Sequence, residues 1–223
     1  MSDYKMLGKI RGLNTDEFQT PGDEEVEVAV TSMGEQLITN AVAPGVEVSR
    51  IGRAFKVNTT SSVASVIALP TTAVTIALYN NEPDGGRSYI IDQVFAMFTT
   101  NSAAIDTVGI IGCLGQVREA IPANSALVVQ NLIGGTKLDT RARTIIGGTA
   151  LPGTTGFAGQ WFPIGSSVAA AVTSLPGFQQ TVDVQGRFIV MPGRYFALHT
   201  LGTVITISAQ VGLIWHEKYL LEG

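Results

Sequence analysis

The 223-residue sequence predicts an all-β fold: a jelly-roll-like antiparallel β-sandwich with an extended N-terminal arm. Three observations predict it. First, Thr203 to Glu217 alternates with a period of two. Its odd positions Ile205, Ile207, Ala209, Val211, Leu213 and Trp215 are apolar, and its even positions Thr206, Ser208, Gln210, Gly212, Ile214 and His216 are mostly polar or small. One face of such a strand is buried and the other meets water or a polar partner. Second, 25 glycines and nine prolines punctuate the chain at short intervals, as turns do. Third, helical periodicity is nearly absent. Ten to twelve strands in two packed sheets follow, because a single open sheet would leave its edges and one face uncovered. The long C-terminal strand would span roughly 45–50 Å if straight, so a bulge is expected at Gly212. Trp215 and Phe95 are the expected core anchors.

Charge is scarce. Charged residues make up 14 % of the chain, against about 25 % in an ordinary domain, and mean hydropathy is positive. A surface so poor in charge points to extensive coverage by partner subunits. The net charge of −4 leaves no cation cluster large enough to neutralise a phosphate backbone, so no nucleic-acid partner is expected. The single Cys113 excludes an internal disulfide and a thiolate metal cage, and its setting, VGIIGCLG, predicts a buried structural thiol. Val57–Asn81 and Thr144–Val182 carry no charge, but prolines, glycines and polar residues break both, so no membrane span is expected. The start, MSDYKMLGKIRG, lacks the apolar core of a signal peptide.

In chain order, residues 1–45 read as the arm and 46–223 as the sandwich. Lys5, Lys9 and Arg11 make a basic start, and Asp16, Glu17, Asp23, Glu24, Glu25 and Glu27 make an acidic stretch. Tyr4 and Phe18 are among its apolar anchors, so Tyr4, Lys5, Lys9, Arg11 and Phe18 are candidate contacts to a neighbouring subunit. A short strand is expected at 25–30. The capping-box spacing of Ser32 and Glu35 predicts a short helix at 33–41. Val46 to Val57 switches phase, which predicts a bulge near Arg50–Gly52. NNEPDGG at 80–86 is a turn, and YIIDQVFAMF at 89–98 is apolar on both faces, so it belongs inside a sheet. Strands are expected at 63–69, 73–79, 108–114, 126–133, 181–191 and 194–199. The last strand should pair with Thr203–Glu217 as a hairpin. Within the uncharged 144–182 segment, Trp161, Phe162 and Ala170 are candidate interface residues. Gln210 and His216 join them on the polar face of the C-terminal strand.

Catalytic motifs are weak. Residues 148–155 have the glycine spacing of a phosphate loop, but Thr154 stands where its lysine belongs. The two histidines, His199 and His216, have no nucleophile elbow to serve, and two histidines alone do not make a metal site. Asp92 and Asp106 are the only acidic residues within strand-rich segments that could point inward as a hydrolytic pair. No calcium loop occurs, and the sequon at Asn58 carries little weight without a secretion signal. No enzyme activity, cofactor or metal is expected.

GRFIVMPGRYFALHT at 186–200, followed by TVITISAQVGLIWHE at 203–217, resembles the β-sandwich virion proteins of tailed bacteriophages. YIIDQVFAMFTTNSAAIDTVGIIGCLG at 89–115 is similar to them in texture, and the resemblance covers about residues 89–223. It implies a capsid decoration or cement protein, homotrimeric, with the major capsid protein or other virion subunits as partners, made in the host cytoplasm and residing on the capsid surface. The alternative is a receptor-binding or adhesion module of a fibre or spike. Exposed aromatics at Phe157, Trp161 and Phe162 would favour that alternative.

Overall fold

The computed structural model describes residues 48–70, 74–100, 106–115, 122–133, 140–146, 161–169, 179–203 and 207–220. The arm expected at 1–45, with its strand and helix, lies outside them. Contacts separate Met1–Ile51 from Gly52–Gly223. Of the first unit only 48–51 are described, and 48–50 are helical. The phase switch before Val57 therefore marks the end of a helical turn and the positive φ of Gly52 (75°), not a bulge within one strand.

The second unit is an all-β sandwich of two antiparallel sheets. Its strands are β1 (Ala54–Asn58), β2 (Val63–Ala64), β3 (Ile76–Tyr79), β4 (Ser88–Thr100), β5 (Asp106–Leu114), β6 (Gln130–Asn131), β7 (Arg143–Ile146), β8 (Trp161–Ala169), β9 (Gln179–Val190), β10 (Tyr195–Gly202) and β11 (Ser208–Lys218). One sheet runs β6-β1-β11-β4-β9, with β2 also on β11, and the other runs β7-β3-β10-β5-β8. Consecutive strands mostly cross from one sheet to the other. The wrapping is that of a jelly roll: β1-β11-β4-β9 faces β3-β10-β5-β8, and β6 and β7 extend the β1 and β3 edges.

The expected hairpin of the last two strands is not formed. β10 lies between β3 and β5, and β11 lies between β1 and β4 in the other sheet. A period of two states which side chains share a face. It does not state which sheet receives the strand.

The alternation in β11 is as expected: Ile207, Ala209, Val211, Leu213 and Trp215 are all fully buried. Trp215 stacks on Phe55 at 5.8 Å and packs on Tyr89 at 6.1 Å. The register shifts fall between Ser208 and Ala209 and between Ile214 and Trp215, not at Gly212. Asp92 on β4 is the extra residue of the second bulge. It changes the phase of β4, so Tyr89 and Ile91 point inward before it and Val94, Ala96 and Phe98 after it. Phe95 is therefore half-buried on the outer face rather than a core anchor. Gly212 is small for a different reason than a bend: an added Cβ would stand 2.4 Å from Phe95 Cζ and 2.7 Å from the Val57 carbonyl oxygen.

The five-stranded sheet is covered on both faces. Ile76, Leu78, Phe196 and Leu198 enter the core between the sheets. Ala77, Tyr79, Tyr195, Ala197, Ile111 and Cys113, with Val74, Ile145 and Trp161, form a second buried apolar layer behind it. Cys113 is a buried free thiol, as expected. Pro163 sits in β8, an edge strand where a missing N–H is tolerated. The strand expected at 126–133 shrinks to Gln130–Asn131 because the segment serves both sheets. Ala126 N–H donates to the Thr144 carbonyl (2.8 Å) beside β7, and β6 pairs with β1. Leu127 fills the side of the sandwich between them.

Gly212→Ala is expected to destabilise the fold by about 1–3 kcal/mol, the usual cost of overpacking. Adding Phe95→Leu should recover part of that loss and no more, because the Val57 carbonyl remains. Urea titrations of the two single variants and the double variant measure the coupling; strictly additive effects would refute the close approach as the cause.

Candidate functional site

The jelly-roll wrapping sorts the connections onto two ends. The connections from β1 to β3, β4 to β5, β8 to β9 and β10 to β11 all leave from one end. Residues 59–75, 101–105, 170–178 and 203–207 make these connections and contain no charged residue. Ile67 (63 % exposed) and Leu69 present apolar surface there. Behind them lies a buried polar network. Trp161 Nε1 donates to the Pro70 carbonyl at 2.9 Å, Ser65 Oγ to Thr200 Oγ1 at 2.9 Å, and Thr200 N–H to His199 Nδ1 at 2.9 Å. With Nδ1 accepting, the neutral ring of His199 carries its proton on Nε2. The Thr75 hydroxyl also lies 3.1 Å from Nδ1. Burial pushes the His199 pKa down to about 4.

The opposite end gathers the charge. The 80–87 turn is held by buried Asn80, whose Nδ2 donates to the Arg87 and Val190 carbonyls (both 2.8 Å) and whose Oδ1 accepts from Glu82 N–H (3.0 Å). This ties the turn to the end of β9. Glu82, Asp84 and Arg87 come from this turn, Arg53 precedes β1, Arg141 and Arg143 border β7, Arg194 precedes β10, and Glu217 and Lys218 end β11.

Glu217 is the unusual member. It is 2 % exposed and accepts a short hydrogen bond from the Thr140 hydroxyl. The Glu217 N–H donates to the Arg53 carbonyl at 3.0 Å. Arg53 Nη1 lies 3.8 Å from Oε2, too far for a hydrogen bond. Burial pushes the Glu217 pKa up to about 7, reinforced by the Glu82 charge and opposed by the Thr140 hydrogen bond and by Arg53 and Arg87. Tyr89, which pairs with Glu217 across the strands, is raised too, first by burial and then by the Glu217 charge. It stays a phenol. Burial likewise pushes the Cys113 thiol up to about 11, so it is no nucleophile.

The sequence-derived candidates scatter. Tyr4, Lys5, Lys9, Arg11, Phe18 and Ala170 lie outside the described residues, as does Phe157. Trp161 is 7 % exposed, and Phe162 packs on Phe188 at 5.0 Å, so neither is a surface aromatic on a loop. Both lie on β8, where the sheet carries their rings into apolar layers. Gln210 and His216 do lie on the outer face of the six-stranded sheet, half-buried. His216 Nδ1 meets the Asp92 carboxylate at 2.9–3.0 Å across the bulge. Asp92 is therefore not inward. His199 and His216 stand on the outer faces of different sheets and do not meet. Among the described residues, no group of three or more His, Cys, Asp or Glu is placed to hold a metal ion.

The sequence reading included Glu217 only as the end of the alternating stretch and Glu82 only as part of the 80–86 turn. Glu217 does continue the odd, buried phase of β11, and that signal was present. What the phase does not reveal is a buried carboxyl kept neutral, because Thr140, Arg53 and Glu82 arrive from distant positions. No protein-family model matches the chain, and no curated protein matches it significantly.

The two shifted groups pull stability in opposite directions with pH. Glu217 has a folded pKa of about 7 above an ordinary 4.5. Its contribution is complete below pH 4.5 and is lost as pH rises through about 7. His199 has a folded pKa of about 4 below an ordinary 6.5. Its contribution is complete above pH 6.5 and is lost as pH falls through about 4. From pH 4.5 to 7, Glu217→Gln should gain roughly 3 kcal/mol relative to the parent, in proportion to the shift. Denaturant titrations across that window check it, and parallel pH profiles for the two proteins would rule it out.

Proposed function

We propose that the chain is a non-catalytic structural protein of a virion: a jelly-roll subunit that assembles as a homotrimer and decorates or cements a phage capsid. Its partners on this reading are the major capsid protein or other virion subunits. The observation that carries it is the charge-poor end of the sandwich, where Asp106 at the start of β5 is the one charged residue among those described. Residues 59–70 carry no charged side chain there, and with Ile67 and Leu69 exposed among Ser and Thr they form a surface that loses little when water is removed. A stable contact of ordinary size removes about 1,200–2,000 Å² from water, and charged groups are depleted at the centre of such contacts. The resemblance of 89–115 and 186–217 to phage β-sandwich virion proteins points the same way. Burial holds the Cys113 thiol and the His199 ring uncharged at neutral pH, and Glu217 is buried against the Thr140 hydroxyl, so none of the three presents a nucleophile at the surface.

Cementing works by repetition. Each contact is modest, and closed symmetry multiplies it over the shell. The charge-poor end is the natural place for the subunit contact, because an aspartate added at Ile67 meets no cation among the uncharged residues 59–70. Ile67→Asp leaves the fold intact, as the side chain is largely in water in the single subunit. It is expected to weaken trimer formation by at least about 30-fold, the order of 2 kcal/mol for burying an unpaired charge. Analytical ultracentrifugation reads the outcome. A parent protein that stays monomeric at micromolar concentration, or an Ile67→Asp variant as trimeric as the parent, would overturn the reading. Binding of the parent to empty shells, with a raised shell melting temperature, tests decoration separately.

A further inference from the structure

The guanidinium groups of Arg53, Arg87, Arg141 and Arg143 are not used up by the carboxylates beside them. A guanidinium binds a carboxylate best through two parallel hydrogen bonds at about 2.7–2.9 Å. Here the nearest approaches are 3.8 Å, from Arg53 to Glu217, and 4.0 Å, from Arg141 to Glu82. Arg143 reaches only the Ala142 carbonyl, at 3.3 Å, and Arg87 lies 4.6 Å above the Tyr219 ring. The Nε atoms of Arg87 and Arg143 are buried without a hydrogen-bond partner, and so is Glu217 Oε2.

The charge count agrees. Among the described residues, Arg53, Arg87, Arg141, Arg143, Arg194 and Lys218 supply six positive charges there, against three carboxyls, Glu82, Asp84 and Glu217. Six minus three leaves a surplus of three on a chain whose net charge is −4. Below about pH 7 Glu217 is neutral and the surplus is larger.

We infer that this end of the sandwich is a docking site for an acidic peptide segment of a partner protein, whose carboxylates are received by Arg53, Arg87, Arg141 and Arg143. A peptide fits better than a polyphosphate. Glu82 and Asp84 stand among the cations and repel a continuous line of phosphates, whereas separate carboxylates can each take one guanidinium. Tyr219, whose ring lies under Arg87, and Leu220, the next residue, are both partly exposed and offer apolar contact to a side chain between the acidic ones. The site is independent of the charge-poor end, and neither depends on the other being an interface.

The test uses the full chain and a fluorescein-labelled glutamate-rich peptide carrying one phenylalanine, followed by anisotropy. Saturable binding that weakens with salt is expected. Arg141→Gln and Arg87→Gln should each weaken it by roughly 3- to 10-fold. Arg141 is 64 % exposed, so its loss leaves the fold intact, which a thermal melt checks. Arg187→Gln, on the outer face of β9, should bind like the parent. Three results would overturn the inference: no saturable binding by the parent, an equal loss from Arg187→Gln, or displacement of the peptide by duplex DNA at a lower concentration of charge than by unlabelled peptide.

Discussion

Everything in the sandwich waits on the last strand. β11 separates β1 from β4, and without it the six-stranded sheet is two pieces. Ala54 pairs with His216, which stands 216 − 54 = 162 positions further along the chain. Closing so long a loop costs entropy before any contact returns it, so folding dominated by such pairs is slow. Trp215 is what makes the late addition favourable. Wholly buried, it fills the space between Phe55 and Tyr89, one from each flanking strand, and an aromatic that size contributes about 3–5 kcal/mol. Gly212 allows the same strand to lie close under Phe95 and against β1. The large residue and the absent side chain are thus two parts of one fit.

The sheets differ in what they ask of their sequences. The six-stranded sheet shows water or a partner its outer face, with Lys56, Gln93, Gln210 and the Asp92–His216 pair upon it, and so its strands alternate. The five-stranded sheet has no wet face at its centre, and β3 and β10 are buried at nearly every position. That second burial explains the uncharged polar groups inside. Thr75, Thr200, Ser65 and His199 satisfy one another where a charge would be stranded. It also explains why His199 is held neutral and Cys113 as a thiol.

Much of this was legible in the residues. The alternation of β11, the anchoring Trp215, the turns at 80–86 and 192–193 and the two-sheet architecture all follow from local pattern. The misplacements share one cause. Phe95 was assigned to the core because one inserted residue, Asp92, reverses the phase of a strand and leaves no mark in composition. Trp161 and Phe162 were candidate interface residues within a segment rich in glycine and proline, yet β5 recruits them as an edge strand and their rings are packed. The hairpin of β10 with β11 failed because proximity along the chain is a poor guide in a fold whose neighbours are mostly in opposite sheets. The charged end was invisible for the same reason: its members come from positions 53, 82, 87, 141, 143, 194 and 217.

Charge along the chain is nevertheless an image of the molecule, once the wrapping is known. In a jelly roll each connection returns the chain to the end from which the previous one did not leave. Charged and uncharged connections therefore alternate in sequence only if the two ends differ in space. Here 59–75, 101–105, 147–160, 170–178 and 203–207 carry no charged residue, while 80–87, 115–142 and 191–194 do, so the alternation holds except where 147–160 and 170–178 follow one another. The first long uncharged run spans one connection and the second spans two. A body with more cations than carboxylates at one end, counted among the described residues, carries a field that orients an approaching acidic surface before contact. The opposite end, with Asp106 as its one charged residue among those described, has less charge to desolvate. The two ends therefore differ in the cost of removing water from them.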